Sequence, residues 1–164
     1  MTTATVSKNM ENDSPSVNIM PPMVFYGCLL LGGAFEFFVP SDFPVFSRLI
    51  RIGLGLVLGG GGFIFMTIAH ETFKRIGTNV PTNLPATTLV VQGAYKISRN
   101  PMYLGGSAFF LGIGVAIGSI WMLLAYIPLG LYLSLYVIPH EEAYMQRTFK
   151  DNYRNYCKEV RRWL

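Results

Sequence analysis

The chain has 164 residues, of which 51% are hydrophobic and only 13% charged, about half the charge of an average soluble domain. Its length suits a single domain, and the apolar residues fall in long runs rather than alternating, which points to a membrane protein and away from a soluble one. The net charge of +4 sits mainly between Lys74 and Arg99 and between Arg147 and Arg162. This juxtamembrane pattern suits anionic lipid headgroups, and it argues against nucleic acid, which needs a basic face on a polar surface.

In chain order, residues 1–20 are rich in Ser, Thr and Asn, show no period, and read as a disordered cytosolic tail, leaving 21–164 as one membrane domain. No short basic head leads into an apolar core, so a cleavable signal is not expected. Pro21-Pro22 opens a first span, about Met23 to Val39. At 1.5 Å per residue its roughly 18 residues reach about 27 Å, a thin but adequate crossing. Glu36, near its far end, is expected to reach the interface or a neighbouring helix, although a carboxylate in a span is a functional candidate by default. Pro40 to Ser47 reads as a turn.

A second span runs from about Leu49 to Ala69 and carries Gly55, Gly59 and the run Gly59 to Gly62. Glycines four apart allow close helix approach, while four in succession predict tight packing or a local distortion. No strand precedes them and no Lys-Ser/Thr follows, so a phosphate loop is not expected. His70-Glu71 does not extend to His-Glu-x-x-His, because position 74 is Lys, so no metal site is read. The helix continues to about Ile76, and the segment to Thr88 is an irregular loop. Leu89-Val90-Val91 then returns to the membrane surface.

Pro101 starts a third span, about Met102 to Ile117, with Gly114 and Gly118 again four apart. Gly118-Ser119 makes a tight turn into a fourth, about Trp121 to Ile138, which contains Pro128 and is expected to end at Pro139. Beyond it, Met145, Phe149, Tyr153, Tyr156, Val160 and Trp163 recur every three or four residues among Arg and Lys, the pattern of an amphipathic interfacial helix. Cys28 in an apolar run and Cys157 in the tail give no disulfide framework. The expected fold is therefore all-α: a polytopic bundle of about four transmembrane helices plus a C-terminal amphipathic cytosolic helix. With the 70–99 loop and the tail inside, eleven of the thirteen Lys and Arg face the cytosol and only Arg48 and Arg51 lie outside, which places both termini in the cytosol.

Chemistry concentrates between Gly93 and Glu142. Gly93-Ala-Tyr95-Lys-Ile-Ser-Arg99-Asn100-Pro101-Met-Tyr103-Leu-Gly105 opens an apolar hairpin, and Pro139-His-Glu141-Glu142 closes it. If both ends lie on one membrane face, residues forty positions apart become neighbours and form a polar site at the mouth of the bundle. Each element also has a plainer explanation. Glu-Glu can favour a helix dipole, Asn-Pro can start a helix, and tyrosines are common at interfaces.

Gly93-x-Tyr95, Arg99-Asn100-Pro101-x-Tyr103-x-Gly105 and Glu141-Glu142, followed by Phe149, Tyr153 and Tyr156, resemble the isoprenylcysteine carboxyl methyltransferase and phospholipid methyltransferase superfamily. The resemblance runs from about Leu89 to the C-terminus. It implies an integral membrane methyltransferase that moves a methyl group from S-adenosylmethionine to a lipophilic or small thiol, amine or carboxylate acceptor. It also implies a cofactor site drawn from Gln92, Gly93, Tyr95, Arg99, Asn100, Tyr103, Gly105, Glu141, Glu142 and Tyr153, with Asn100, Tyr103 and Glu142 closest to the chemistry. Carboxylates accept from an ammonium or ribose hydroxyls, tyrosine rings face a sulfonium, and glycines admit a ligand to the backbone. Two positions depart from the pattern. Asn100 stands where many members have His, and Val137 stands where the prenylcysteine enzymes have Arg. Membrane sterol and steroid reductases, which resemble the same region, remain an alternative using NADPH, with Arg161-Arg162 or Lys74-Arg75 for its phosphate, as does a non-catalytic scaffold.

Overall fold

A computed structural model of the chain describes residues 14–15, 17–41, 46–77 and 84–164, and the described part is helical without strands. Helix α1 (Pro21–Phe38) starts on two prolines, at positions where a missing N–H costs nothing. Helix α2 (Arg48–Ile76) is 29 residues long and ends on Gly77. Lys74 and Arg75 lie in its last turn, where cations suit the negative helix end. A 3-10 turn (Gly93–Lys96) leads to α3 (Pro101–Ile117). Gly118 then reverses the chain with a left-handed φ of 78°, and Ser119 caps α4 (Ile120–Tyr132) by accepting the Met122 N–H.

The helix of the fourth span was expected to end at Pro139, but it does not. Helix α4 passes through a π turn (Leu133–Val137), in which the Ile138 N–H bonds the Leu133 carbonyl, into α5 (Ile138–Glu159). Pro139 has no N–H, and its ring crowds the carbonyl four residues back. The ladder widens ahead of it instead of breaking. Helices α1 and α2 and the continuous α4–α5 are long and apolar enough to cross a membrane, and α3 is a shorter apolar helix. The chain is thus a helical membrane bundle with a polar final helix.

Glycine sets the central contact. Helices α2 and α3 run antiparallel so closely that a Cβ on Gly112 would stand 2.4 Å from the Cα of Gly59, and one on Gly105 would stand 2.6 Å from the Gly62 carbonyl oxygen. The glycine run therefore distorts nothing: Gly59 and Gly62 face α3, while Gly60 and Gly61 face open space. Gly114 lies under Met122 and Leu123 of α4. Helix α1 packs on α4, and Cys28, Phe110, Leu129, Leu133 and Val137 fill the join. Val17 is buried in the same cluster, so the described end of the N-terminal segment is packed. Residues 1–13 and 16 of that segment, 42–45 of the turn and 78–83 of the loop lie outside the described residues.

At the end of the bundle where α1 finishes, Glu36 does reach a neighbour. Its carboxylate accepts from the Ser41 N–H at 3.0 Å, the Ser41 hydroxyl at 2.6 Å and the Ser119 hydroxyl at 2.5 Å. At the other end, Tyr153, Tyr156 and Val160 of the final segment bury themselves with Leu89, Met145 and Phe149, which turns the apolar stripe of α5 inward onto the 84–96 segment. Lys150 kinks α5 with a φ of 47°.

Candidate active site

The turn after Lys96 and the start of α3 meet the start of α5. The Tyr103 hydroxyl donates to Glu141 Oε1 at 2.7 Å across 38 residues of sequence. Successive residues on a helix point about 100° apart, so Glu142 faces elsewhere. Its Oε1 pairs with Arg99 Nη2 at 3.1 Å, and its Oε2 with Arg162 Nη2 at 2.5 Å. The two carboxylates are thus unequal. Glu142 is committed to two arginines, while Glu141 has a neutral phenol.

Arg162 reflects a larger docking event. The Arg99 N–H donates to the Arg161 carbonyl at 3.0 Å, the Ser98 hydroxyl to the Arg162 carbonyl at 3.2 Å, and Asn100 Nδ2 to that same carbonyl at 3.0 Å. Tyr156 donates to the Tyr95 carbonyl at 2.7 Å, and the Cys157 sulfur accepts from Arg99. Asn100 occupies the N-cap position of α3, but its side chain caps nothing there and holds the C-terminal segment instead. Sequence reasoning missed Ser98 and this use of Arg162. The signal was two adjacent carboxylates in need of cations and a diarginine ending the amphipathic stretch.

Several of these residues line a cavity of about 890 Å³, within the size range of small-molecule sites. Tyr95, Arg99, Asn100, Tyr103, Glu141, Glu142 and Tyr153 form its polar part, here called the mouth, and Phe25, Phe63, Met66, Phe109, Leu129 and Leu133 its apolar part. Three residues of the expected set are not on its wall. Gln92 is exposed, with its carbonyl bonded to the Tyr95 N–H. Gly93 turns the chain at a φ of 59° against Thr72, and the backbone that Gly105 admits is that of α2. Val137 is fully buried in the π turn. Lys74 pairs with Glu71 at the end of α2.

The mouth is electrostatically biased. Burial pushes Glu141 up to about 7; the Tyr103 hydrogen bond works against this rise and the charge of Glu142 adds to it. The Tyr95 phenol is raised by burial and then by Glu141. Burial is the largest influence on Arg99 and opposes its charge, but Glu142, Tyr153 and Cys157 together outweigh it and raise the guanidinium above its ordinary value. Three buried polar atoms on the cavity wall have no partner: Tyr95 Oη, Arg99 Nε and Ser107 Oγ. An unsatisfied buried group costs about 1–3 kcal/mol. The three donors are therefore complementary to a ligand bearing hydrogen-bond acceptors.

Residues 50–152, from α2 into the second half of α5, match the family profile described as phospholipid methyltransferase. No curated protein and no solved structure matches the chain.

Proposed function

The chain belongs to the phospholipid methyltransferase family, and from this we propose that it uses S-adenosylmethionine to methylate an amine carried on a lipophilic body. The observation that carries the choice of acceptor is the inequality of the carboxylates. Glu142 occupies Arg99 Nη2 and Arg162, so a carboxylate acceptor entering the mouth would meet Glu141 and would have to compete with the cofactor's own carboxylate for Arg99 Nε. An ammonium would be attracted there, and the apolar interior suits the rest of the molecule.

The residues at the mouth fit the cofactor. Tyr95 Oη and Arg99 Nε are unpartnered donors for its carboxylate and hydroxyls, and the Tyr95 and Tyr153 rings offer faces to a cation. When bound, S-adenosylmethionine supplies a methyl group on positively charged sulfur, which departs as a neutral thioether. The chain's own work is to orient the acceptor nitrogen and to take its proton, since only a neutral amine has a lone pair. Glu141 Oε2 is free for that proton because Tyr103 holds Oε1, and a group titrating near 7 is matched to the task at neutral pH. Asn100 acts through the docked C-terminal segment, and Glu142 by fixing Arg99. In this reading the chain crosses the membrane four times with both termini and the site on the cytosolic side, as the positive-inside rule favours. Cysteine labelling of Ser14 and Asn155 from opposite sides would overturn that topology.

The test is transfer of labelled methyl from S-adenosylmethionine by purified protein to an aminolipid, an alkyl thiol and a prenylcysteine. Transfer to the amine is expected, with micromolar cofactor affinity, about 8 kcal/mol of binding free energy. Transfer to the prenylcysteine alone would defeat the assignment, and calorimetric heat with NADPH but not with S-adenosylmethionine would favour a reductase.

A further inference from the structure

Ser107 lies in α3 one helical turn beyond Tyr103 and on the same face, about 6 Å deeper along the axis. Its side chain is 7% exposed, lines the cavity, and its hydroxyl has no partner. Hydroxyls in helices usually satisfy themselves on the carbonyl four residues back. Two on the facing helix do so: Thr67 donates to the Phe63 carbonyl and Thr72 to the Ile68 carbonyl, both at 2.8 Å. Gly106, Phe109 and Met66 also line the cavity, and among them only the weakly accepting Met66 thioether carries a side-chain acceptor.

The geometry points to Ser107 as a second recognition point for the acceptor, donating to an oxygen several bonds inward from the nitrogen that Glu141 receives. An ester carbonyl linking a lipid head to its acyl chains has that placement and chemistry. A plain alkylamine lacks it, and an ether-linked lipid offers only a weaker oxygen. The inference rests on the acceptor reading above and adds a depth to it: the charged head is read at the mouth, the ester one turn below.

The test uses two aminolipids with the same head and chain length, one ester-linked and one ether-linked. Affinity is measured by displacement of a fluorescent lipid from the full-length protein in nanodiscs. The wild-type chain should prefer the ester by about 3- to 10-fold, the range expected of one neutral hydrogen bond. Ser107→Ala should erase the preference by weakening the ester alone, leaving S-adenosylmethionine affinity unchanged and the melting temperature of the lipid-free protein unchanged or raised. Ser107→Cys, a weak donor of similar size, should fall between. Equal affinities in the wild type, a preference that survives Ser107→Ala, or equal weakening of both lipids would each overturn the inference. A preference that behaves as expected without methyl transfer to either lipid would uphold Ser107 and sink the proposed activity instead.

Discussion

At the end of the bundle where α1 meets α4, the Glu36 carboxylate accepts three hydrogen bonds, from the Ser41 N–H and from the hydroxyls of Ser41 and Ser119. At the cavity end Glu141 has one, from Tyr103, and three buried polar atoms on the cavity wall have none. The Glu36 carboxylate and its two serine partners at the α1–α4 end are used up in joining helices. Their counterparts at the cavity end are held in place but left incomplete, as expected where a ligand completes them.

Substitutions at the two ends should therefore move different quantities. The largest effect is expected from Glu141→Gln, which keeps shape but removes the proton acceptor. Turnover should fall about 100-fold or more with melting temperature maintained, and turnover within threefold of wild type would break the contrast. Glu141 also fixes a pH dependence. Its value in the fold, about 7, exceeds the ordinary 4.5, so between them the folded chain keeps a proton that the unfolded chain has lost. Stability should fall as pH rises through that window, while turnover rises toward a plateau above about pH 7, changing about tenfold per unit below it. Both trends should vanish in Glu141→Gln.

Glu142→Gln comes next and blurs the line between the two ends, because Glu142 serves structure inside the site. Loss of its pairs with Arg99 and Arg162 should cost about 1–3 kcal/mol of stability. Cofactor affinity should fall roughly 10-fold as Arg99 and the C-terminal segment loosen. A lowered melting temperature with unchanged affinity would leave Glu142 a purely structural residue. The smallest effect is expected from Ser119→Ala, which removes both a helix cap and a Glu36 partner. About 1–2 kcal/mol of stability should be lost with turnover intact; a loss of turnover in proportion would mean that the ends are coupled.

Much of this contrast could be read from the sequence. Apolar runs place the helices because hydropathy and length are properties of single segments. That the Arg99–Tyr103 segment meets the Glu141-Glu142 pair follows from a hairpin whose ends share one face. Which carboxylate stays free could not be read, since Glu141 and Glu142 are chemically identical and differ only in helix phase. Arg162 was hidden because its partner lies 20 residues back and the docking carbonyls of the final residues have no side-chain signature. Gly93 and Gly105 looked like ligand contacts because a glycine serves a turn, a helix neighbour or a ligand equally well. Pro139 looked like a terminator because a proline's local effect is clear, whereas the widened turn that accommodates it depends on the packing of one face, through Leu133, Val137 and Ile138.

That widened turn makes the chain's tolerance of length changes uneven. Leu133–Val137 holds one residue more than an α turn needs, and Leu135 within it points outward at 73% exposure. Deleting Leu135 would let the ladder close toward ordinary spacing with Glu141 still in register with Tyr103, at the cost of the Pro139 crowding that the widened turn relieves. Deleting His140, a few positions later, has no slack to draw on and would rotate one carboxylate into the other's place. The π turn is thus a reserve of one residue, placed where a frame change would otherwise exchange the partner of the arginines for the partner of the phenol.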